Sequence, residues 1–238
     1  MLKINNISKA FKDKKIVSRI SFEVNAGDIY GLLGPNGAGK TTTFYIIAGL
    51  LSSDRGQIIL SGEDISAIPM HQRSKRGLKY LPQEPSIFQN LSVYENLYGL
   101  AELSFDNKRD IEIFIDNSME EFNLSKISDL KGRQLSGGQR RKVELARTLA
   151  ADPKVILLDE PFAGIDPIAI EDIKNVLIKL LERDIGILIT DHNVRETLGI
   201  CNRAYIVNQG KIFASGAPNE IASNQNVKDI YLGKNFVL

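Results

Sequence analysis

The run Gly34-Pro35-Asn36-Gly37-Ala38-Gly39-Lys40-Thr41 fits the pattern G-x-x-x-x-G-K-[ST], and the chemistry of that pattern is phosphate binding. Small residues let successive backbone N–H groups turn inward around the α- and β-phosphates, at the positive end of a following helix. Lys40 then reaches the β- and γ-phosphates as a point charge, the Thr41 hydroxyl is the expected Mg²⁺ ligand, and Thr42 adds a further donor. A second group, Asp159-Glu160, closes the apolar run Val155-Ile156-Leu157-Leu158. Paired acids at the end of a strand buried on both faces suit a cation and water chemistry at the C-terminal edge of an α/β sheet. Asp159 is expected to hold Mg²⁺, directly or through water, and Glu160 to accept a proton from the water that attacks the γ-phosphate. Without the phosphate loop, the same pair would read as the start of an exposed loop. A third group is Leu135-Ser136-Gly137-Gly138-Gln139, ahead of a helical run. Ser136 is a favoured N-cap, but two adjacent glycines cost helix stability while letting a phosphate approach the helix end. Two phosphate-binding ends in one chain predict a nucleotide sandwiched between them.

These residues need elements to place them. With 238 residues, the chain suits one large α/β domain or two small lobes sharing a nucleotide site. Residues 2–7 and 16–24 alternate apolar and polar, which predicts antiparallel strands. Residues 28–33 form a short apolar strand that runs into the Gly-rich turn and a helix beginning near Lys40. Residues 155–158 and 185–190 are further buried strands, each followed by a helical pattern, so the sheet is expected to be mostly parallel. Between 83 and 150 there is no strong strand signal, while 93–103, 110–122 and 138–150 carry helical spacing. From Arg203, strands at 204–207 and 211–214 turn at Asn208-Gln209-Gly210, and short helices follow. The fold class is therefore α/β. A single domain over 1–238 is expected, with a phosphate-loop core, an N-terminal antiparallel β region and a helical lobe inserted at about 84–150.

Composition bounds the function. Lys plus Arg number 30 against 29 for Asp plus Glu, so there is no net basic field to hold a nucleic acid, and none is expected as a partner. The longest stretch without a charge, 41–53, is too short to span a bilayer. The N-terminus lacks the apolar core of a signal peptide, and the single Cys201 excludes an internal disulfide framework. A soluble cytoplasmic protein is expected. His71, His192 and Cys201 show no ligand spacing for a metal, and Arg140, Arg141, Lys142 and Arg147 read as a solvated helix face.

Ser136-Gly137-Gly138-Gln139 resembles the signature of the ABC transporter family. Other elements of that family stand around it in order: Gln83 after Tyr80-Leu81-Pro82, Ala163-Gly164-Ile165-Asp166, and His192 after the strand at 187–190. The resemblance covers nearly the whole chain and implies an ABC-type ATPase domain using ATP and Mg²⁺. It also implies a homodimer in which the signature of one subunit closes on the ATP held by the phosphate loop of the other. The remaining partners would be transmembrane permease subunits, with this chain peripheral on the cytoplasmic face of the inner membrane. Carried over residue by residue, Gln83 contacts Mg²⁺ and the attacking water, Asp166 sits at the subunit interface, His192 touches the γ-phosphate and Phe11 stacks on adenine. The implied catalytic set is Glu160, His192 and Gln83. By residue type alone, His192 also suits a surface or capping histidine, and Phe11 a core aromatic.

Within that family, residues 160–167 and 189–198, with the tail Tyr231-Leu232-Gly233-Lys234-Asn235-Phe236-Val237-Leu238, are similar to the ATPases of lipopolysaccharide export. The alternative is the ATPase of branched-chain amino acid importers, which shares the Ala-Gly-Ile/Leu-Asp-Pro element; Thr190-Asp191-His192-Asn193 favours export. A non-transport ABC ATPase would normally carry two cassettes or a coiled-coil insertion, and neither is present. Between Gln83 and Leu91, Pro85 argues against a buried strand, so Phe88 is expected on an exposed loop where it docks a membrane partner, with core packing as its other reading. Gln89 and Asn90 follow it where export subunits usually carry a basic residue.

Overall fold

Alternating burial along β1 (Leu2–Phe11) and β2 (Lys14–Val24) folds the N-terminus into an antiparallel hairpin in the computed structural model, which describes residues 1–238. β3 (Ile29–Leu33) is buried at every position and leads through a Gly-rich turn into α1 (Lys40–Ala48). Next come β4 (Arg55–Leu60), β5 (Glu63–Asp64), α2 (Met70–Lys75) and β6 (Leu78–Leu81). The sequence pattern did not mark these four: β5, α2 and β6 are too short to establish a period, and β4 is exposed over its first half and so lacks a continuous apolar run. Three helices follow: α3 (Val93–Ala101), α4 (Lys108–Glu121) and α5 (Gly137–Leu149), whose N-caps Ser92, Asn107 and Ser136 each accept a backbone N–H. The chain returns to the sheet as β7 (Val155–Asp159), α6 (Pro167–Leu181), β8 (Gly186–Thr190), α7 (Val194–Ile200), β9 (Arg203–Asn208), β10 (Lys211–Gly216) and α8 (Pro218–Ser223).

Two sheets result, one in the order β2-β1-β4-β5 and one in the order β10-β9-β3-β8-β7-β6. In the second, β6, β7, β8, β3 and β9 are parallel and only β10 is antiparallel. Successive residues of β7 point to opposite faces of that sheet, each into a different core. Ile156 and Leu158 join Val93, Leu97, Phe122, Val143 and Leu145 beneath the helices, in a cluster of 29 residues. Val155 and Leu157 join Leu2, Ile4, Phe44 and Ile47 beneath the antiparallel sheet, in a cluster of 23. The central sheet is covered on both faces, which is why its strands read as continuous apolar runs. Their C-terminal ends are therefore the places where polar side chains emerge. No helix is long and apolar enough to cross a membrane.

Candidate functional site

The phosphate loop begins where β3 ends, and close packing sets its shape. Gly34 has φ +148°, and a Cβ there would lie 2.0 Å from the Val207 carbonyl oxygen; at Gly39, φ +104°, it would lie 2.7 Å from the Ile16 oxygen. Only glycine fits either position. Ala38 is buried with them and accepts a hydrogen bond from the Gly210 N–H, while Pro35 accepts one from the Ala38 N–H. Asn36, Gly37 and Thr41 face solvent at the mouth, and Thr42 is half-buried. Lys40 is buried, its ammonium donating to the Gly34 oxygen at 2.6 Å and the Pro35 oxygen at 3.0 Å. Burial pulls its pKa below the usual lysine value, against the opposing pull of Glu160 and Asp159.

The same two acids end β7. Glu160 adopts φ +49°, a left-handed conformation unusual for a side-chain-bearing residue. Its N–H donates to the Thr190 oxygen at 2.7 Å. Its carboxylate holds two of the other sequence-predicted residues: Oε2 accepts from Gln83 Nε2 at 2.7 Å, and Oε1 lies 2.8 Å from His192 Nε2. Gln83, Glu160 and His192 thus come together from three segments distant in sequence. Asp159 is buried, and burial raises its pKa above the usual carboxylate range. The Tyr80 hydroxyl donates to Asp159 Oδ2 at 3.0 Å. For Mg²⁺, the Thr41 hydroxyl, the Gln83 amide and the Asp159 carboxylate offer an all-oxygen set, which suits a hard cation. No cluster of three His, Cys, Asp or Glu groups offers a competing metal site, and Cys201 is a buried thiol whose pKa burial raises.

At the start of α5, Ser136 is exposed and forms a capping box with Gln139: its N–H donates to Gln139 Oε1 at 2.9 Å, and its hydroxyl accepts from the Gln139 N–H at 3.3 Å. The two glycines after it differ. A Cβ on Gly138 would lie 2.5 Å from the Ala169 Cβ, so this glycine lets α6 pack against α5; one on Gly137 would stand 3.4 Å from the Gly164 oxygen. Packing of α6 against α5 is thus a second reason for glycine at 138, beside the phosphate approach expected from the sequence. Gly137 lines a cleft of about 370 Å³ with Gln83, Glu160 and Gly164, and no residue of the phosphate loop lines it. Asp166 is exposed and caps α6 by accepting from the Ala169 N–H at 2.9 Å; Pro167 and Ile168 beside it are exposed too. Phe11 and Phe88 are both 48% exposed, which removes the core reading for each. Lys9 Nζ lies 5.8 Å from the Phe11 ring centre, and the Arg147 guanidinium lies 4.6 Å from that of Phe88.

The basic group on α5 is not a solvated face. Arg141 is 5% exposed and donates to the Pro82 and Asp159 carbonyl oxygens and to Glu144 Oε2. Arg147 donates to the Ser86 oxygen at 3.0 Å, and Lys142 pairs with Asp172. Apart from Glu144, one turn along the same helix, the groups responsible are carbonyls and a carboxylate from other segments, and helical periodicity carries no record of them. Sequence reasoning also passed over Tyr80 and Asp191, whose carboxylate accepts from the Phe162 and Asn193 N–H groups. Their only signal was adjacency to motif residues.

A phosphate loop, a strand-end acid pair and a convergent Gln and His on this two-sheet frame define an ATP-hydrolysing cassette. The chain belongs to the ABC transporter family, whose model matches residues 17–163. It is 54% identical over 239 residues to the lipopolysaccharide export system ATP-binding protein LptB of Haemophilus influenzae, with 100% of this chain and 99% of that protein covered. The LptB of Escherichia coli K12 is 52% identical over 238 residues with the same coverage. Among solved structures, an ATP-binding cassette of an ABC transporter in its ADP conformation superposes with a TM-score of 0.87 at 30% identity, covering 98% of this chain and 99% of that one. A cassette solved as a dimer in a post-hydrolysis state with ADP and Pi shares the fold, with a TM-score of 0.79 at 21% identity over 92% of this chain and 99% of that one.

Proposed function

We propose that this chain is the ATPase subunit of a lipopolysaccharide exporter, a homodimer peripheral to the cytoplasmic face of the inner membrane that drives permease subunits. The observation that carries the enzymatic part is the Glu160 carboxylate held between Gln83 and His192. The relatives at 52 to 54% identity support lipopolysaccharide as cargo over branched-chain amino acids. Residues 34–42 cradle the phosphates, with Lys40 exchanging its loop carbonyls for β- and γ-phosphate oxygens, and Phe11 receives the adenine ring. Thr41, Asp159 and Gln83 hold Mg²⁺, which when bound neutralises the charge of the transferred phosphoryl group. Gln83 orients the attacking water, Glu160 takes its proton, and His192 contacts the γ-phosphate. Ser136, Gly137 and Gly138 of one subunit close on the ATP of the other, with Asp166 at that interface. A groove of about 990 Å³, lined by Met70, Lys79, Leu100, Leu103, Phe105 and Arg147, runs between the helices and the sheet. With Phe88 at the neighbouring loop, it receives a cytoplasmic helix of the permease.

Replacing Glu160 with Gln removes the base and keeps the shape. Hydrolysis should fall by roughly 10²-fold or more while ATP still binds, and light scattering should then detect a dimer at saturating ATP. A variant that stays monomeric rejects the sandwich, and one that turns over normally rejects Glu160 as base. For the cargo, depleting the chain should stop lipopolysaccharide from reaching the outer membrane; undiminished delivery rejects the export reading.

A further inference from the structure

Asp191 is a buried acid beside His192 that the mechanism above leaves unused. It is 3% exposed, and backbone donors occupy both carboxylate oxygens: Phe162 N–H on Oδ2 at 2.9 Å and Asn193 N–H on Oδ1 at 2.7 Å. One donor lies two residues after Glu160 and the other one residue after His192. A second strap, from the Glu160 N–H to the Thr190 oxygen, joins the same two segments just before those residues. Between the straps, Glu160 keeps its left-handed backbone and its side chain meets the His192 ring. A turn-forming role would account for the bond to Asn193 alone. It does not account for the bond to Phe162, which comes from a different strand end.

We propose that Asp191 is a positioning residue: by gathering the Phe162 and Asn193 amides on one carboxylate, it holds the Glu160 carboxylate and the His192 imidazole in register for hydrolysis. The chemistry requires a carboxylate. Two N–H donors converge on it, and an ionised acid accepts from both. An asparagine would offer one oxygen and turn an NH₂ group toward the other donor. The inference rests on the reading of Glu160 and His192 as the catalytic pair, and the test separates the two.

Steady-state ATP hydrolysis by the full chain should be measured for Asp191→Asn, His192→Ala and the double variant. Asp191→Asn should lower kcat about 10-fold or more, since small misplacements of catalytic groups have effects of that order, and leave KM for ATP within about twofold. Because Asp191 acts by keeping Glu160 and His192 in register with each other, its effect should shrink once His192 is gone, so the double variant should lose less than the product of the two single losses. Native turnover in Asp191→Asn, a loss carried by KM, or losses that multiply in the double variant would each overturn the proposal. Native turnover in His192→Ala would instead remove the catalytic reading, and the proposal with it. Should Asp191→Asn fail to fold, Asp191→Ser keeps an acceptor for the Asn193 amide but is too short for Phe162. It should show the same loss of kcat, and native turnover in that variant also overturns the clamp.

Discussion

Truncating Glu144 to Ala tests the buried charges on α5. The Arg141 and Glu144 side chains are 6% and 3% exposed, with 3.1 Å between Nη1 and Oε2. Removing one partner of such a pair leaves an uncompensated charge and costs about 3–5 kcal/mol. Arg141 retains the Pro82 oxygen at 3.0 Å and the Asp159 oxygen at 3.2 Å, which places this variant at the lower end, about 3 kcal/mol. Glu144 also accepts the Ser86 N–H, and losing that acceptor adds about 1 kcal/mol. In a chain of this size each kcal/mol moves Tm by about 2–4 °C, so melting followed by circular dichroism should show a drop of about 8–16 °C. Glu144→Gln keeps a neutral oxygen for Ser86 and should lose less. The double change Arg141→Met with Glu144→Leu removes both charges at similar volume and should recover much of the loss. A Tm shift below about 2 °C in Glu144→Ala would refute the reasoning, because Arg141 would then have found water rather than lost its counter-charge.

Lys40→Ala should abolish ATP binding measured with a fluorescent nucleotide, since no other side chain of the phosphate loop carries a positive charge. Gly138→Ala drives a methyl into Ala169 and should cost about 1–3 kcal/mol by overpacking, whereas Gly137→Ala has the room and should melt much closer to the native protein; equal Tm losses would contradict the assigned packing. Phe88→Ala gives up a half-exposed ring and one cation–π contact, about 1 kcal/mol, so the free subunit should keep its ATPase activity. Co-purification with the membrane partners should be lost or weakened, and normal assembly would remove Phe88 from the docking surface.

How much was legible in the sequence depended on whether a residue's reason is local. The phosphate loop was legible because Gly34 and Gly39 answer to backbone shape, and Lys40 and Thr41 sit at fixed offsets from them. The sheet was legible at β3, β7 and β8, where burial on both faces writes a continuous apolar run. It was not legible at β4 and β6, where partly exposed residues such as Lys79 and Tyr80 interrupt the pattern. The charged face of α5 misled for a related reason: helical spacing records which residues share a face but not what covers it. Arg141 is neutralised by Glu144 on its own helix, and its carbonyl partners belong to Pro82 and Asp159. The convergence of Gln83, Glu160 and His192 lies between these cases. The motif order was readable, but the contacts joining them span 77 residues in one direction and 32 in the other.

These contacts also determine what can move cheaply. α5 begins at the Ser136 cap and carries Arg141, Glu144 and Arg147 at three-residue spacing, against the segment that follows Gln83. Arg141 holds the Pro82 oxygen, Glu144 the Ser86 N–H, and Arg147 the Ser86 oxygen and the Phe88 ring. Asn96 of α3 completes the attachment, accepting from the Phe88 N–H at 2.9 Å and donating to the Phe88 oxygen at 3.0 Å. Sliding the Phe88 loop past α5 would break several hydrogen bonds to charged groups, two of them partly buried, at about 1.5–3 kcal/mol each. Moving the loop, α3 and α5 together breaks none of them. The concerted path is the cheaper one, so a displacement imposed at Phe88 reaches the Ser136 end of α5 as rigid motion. The side-chain hydrogen bond from this helix to β7, Arg141 on the Asp159 oxygen, is then a contact that must bend.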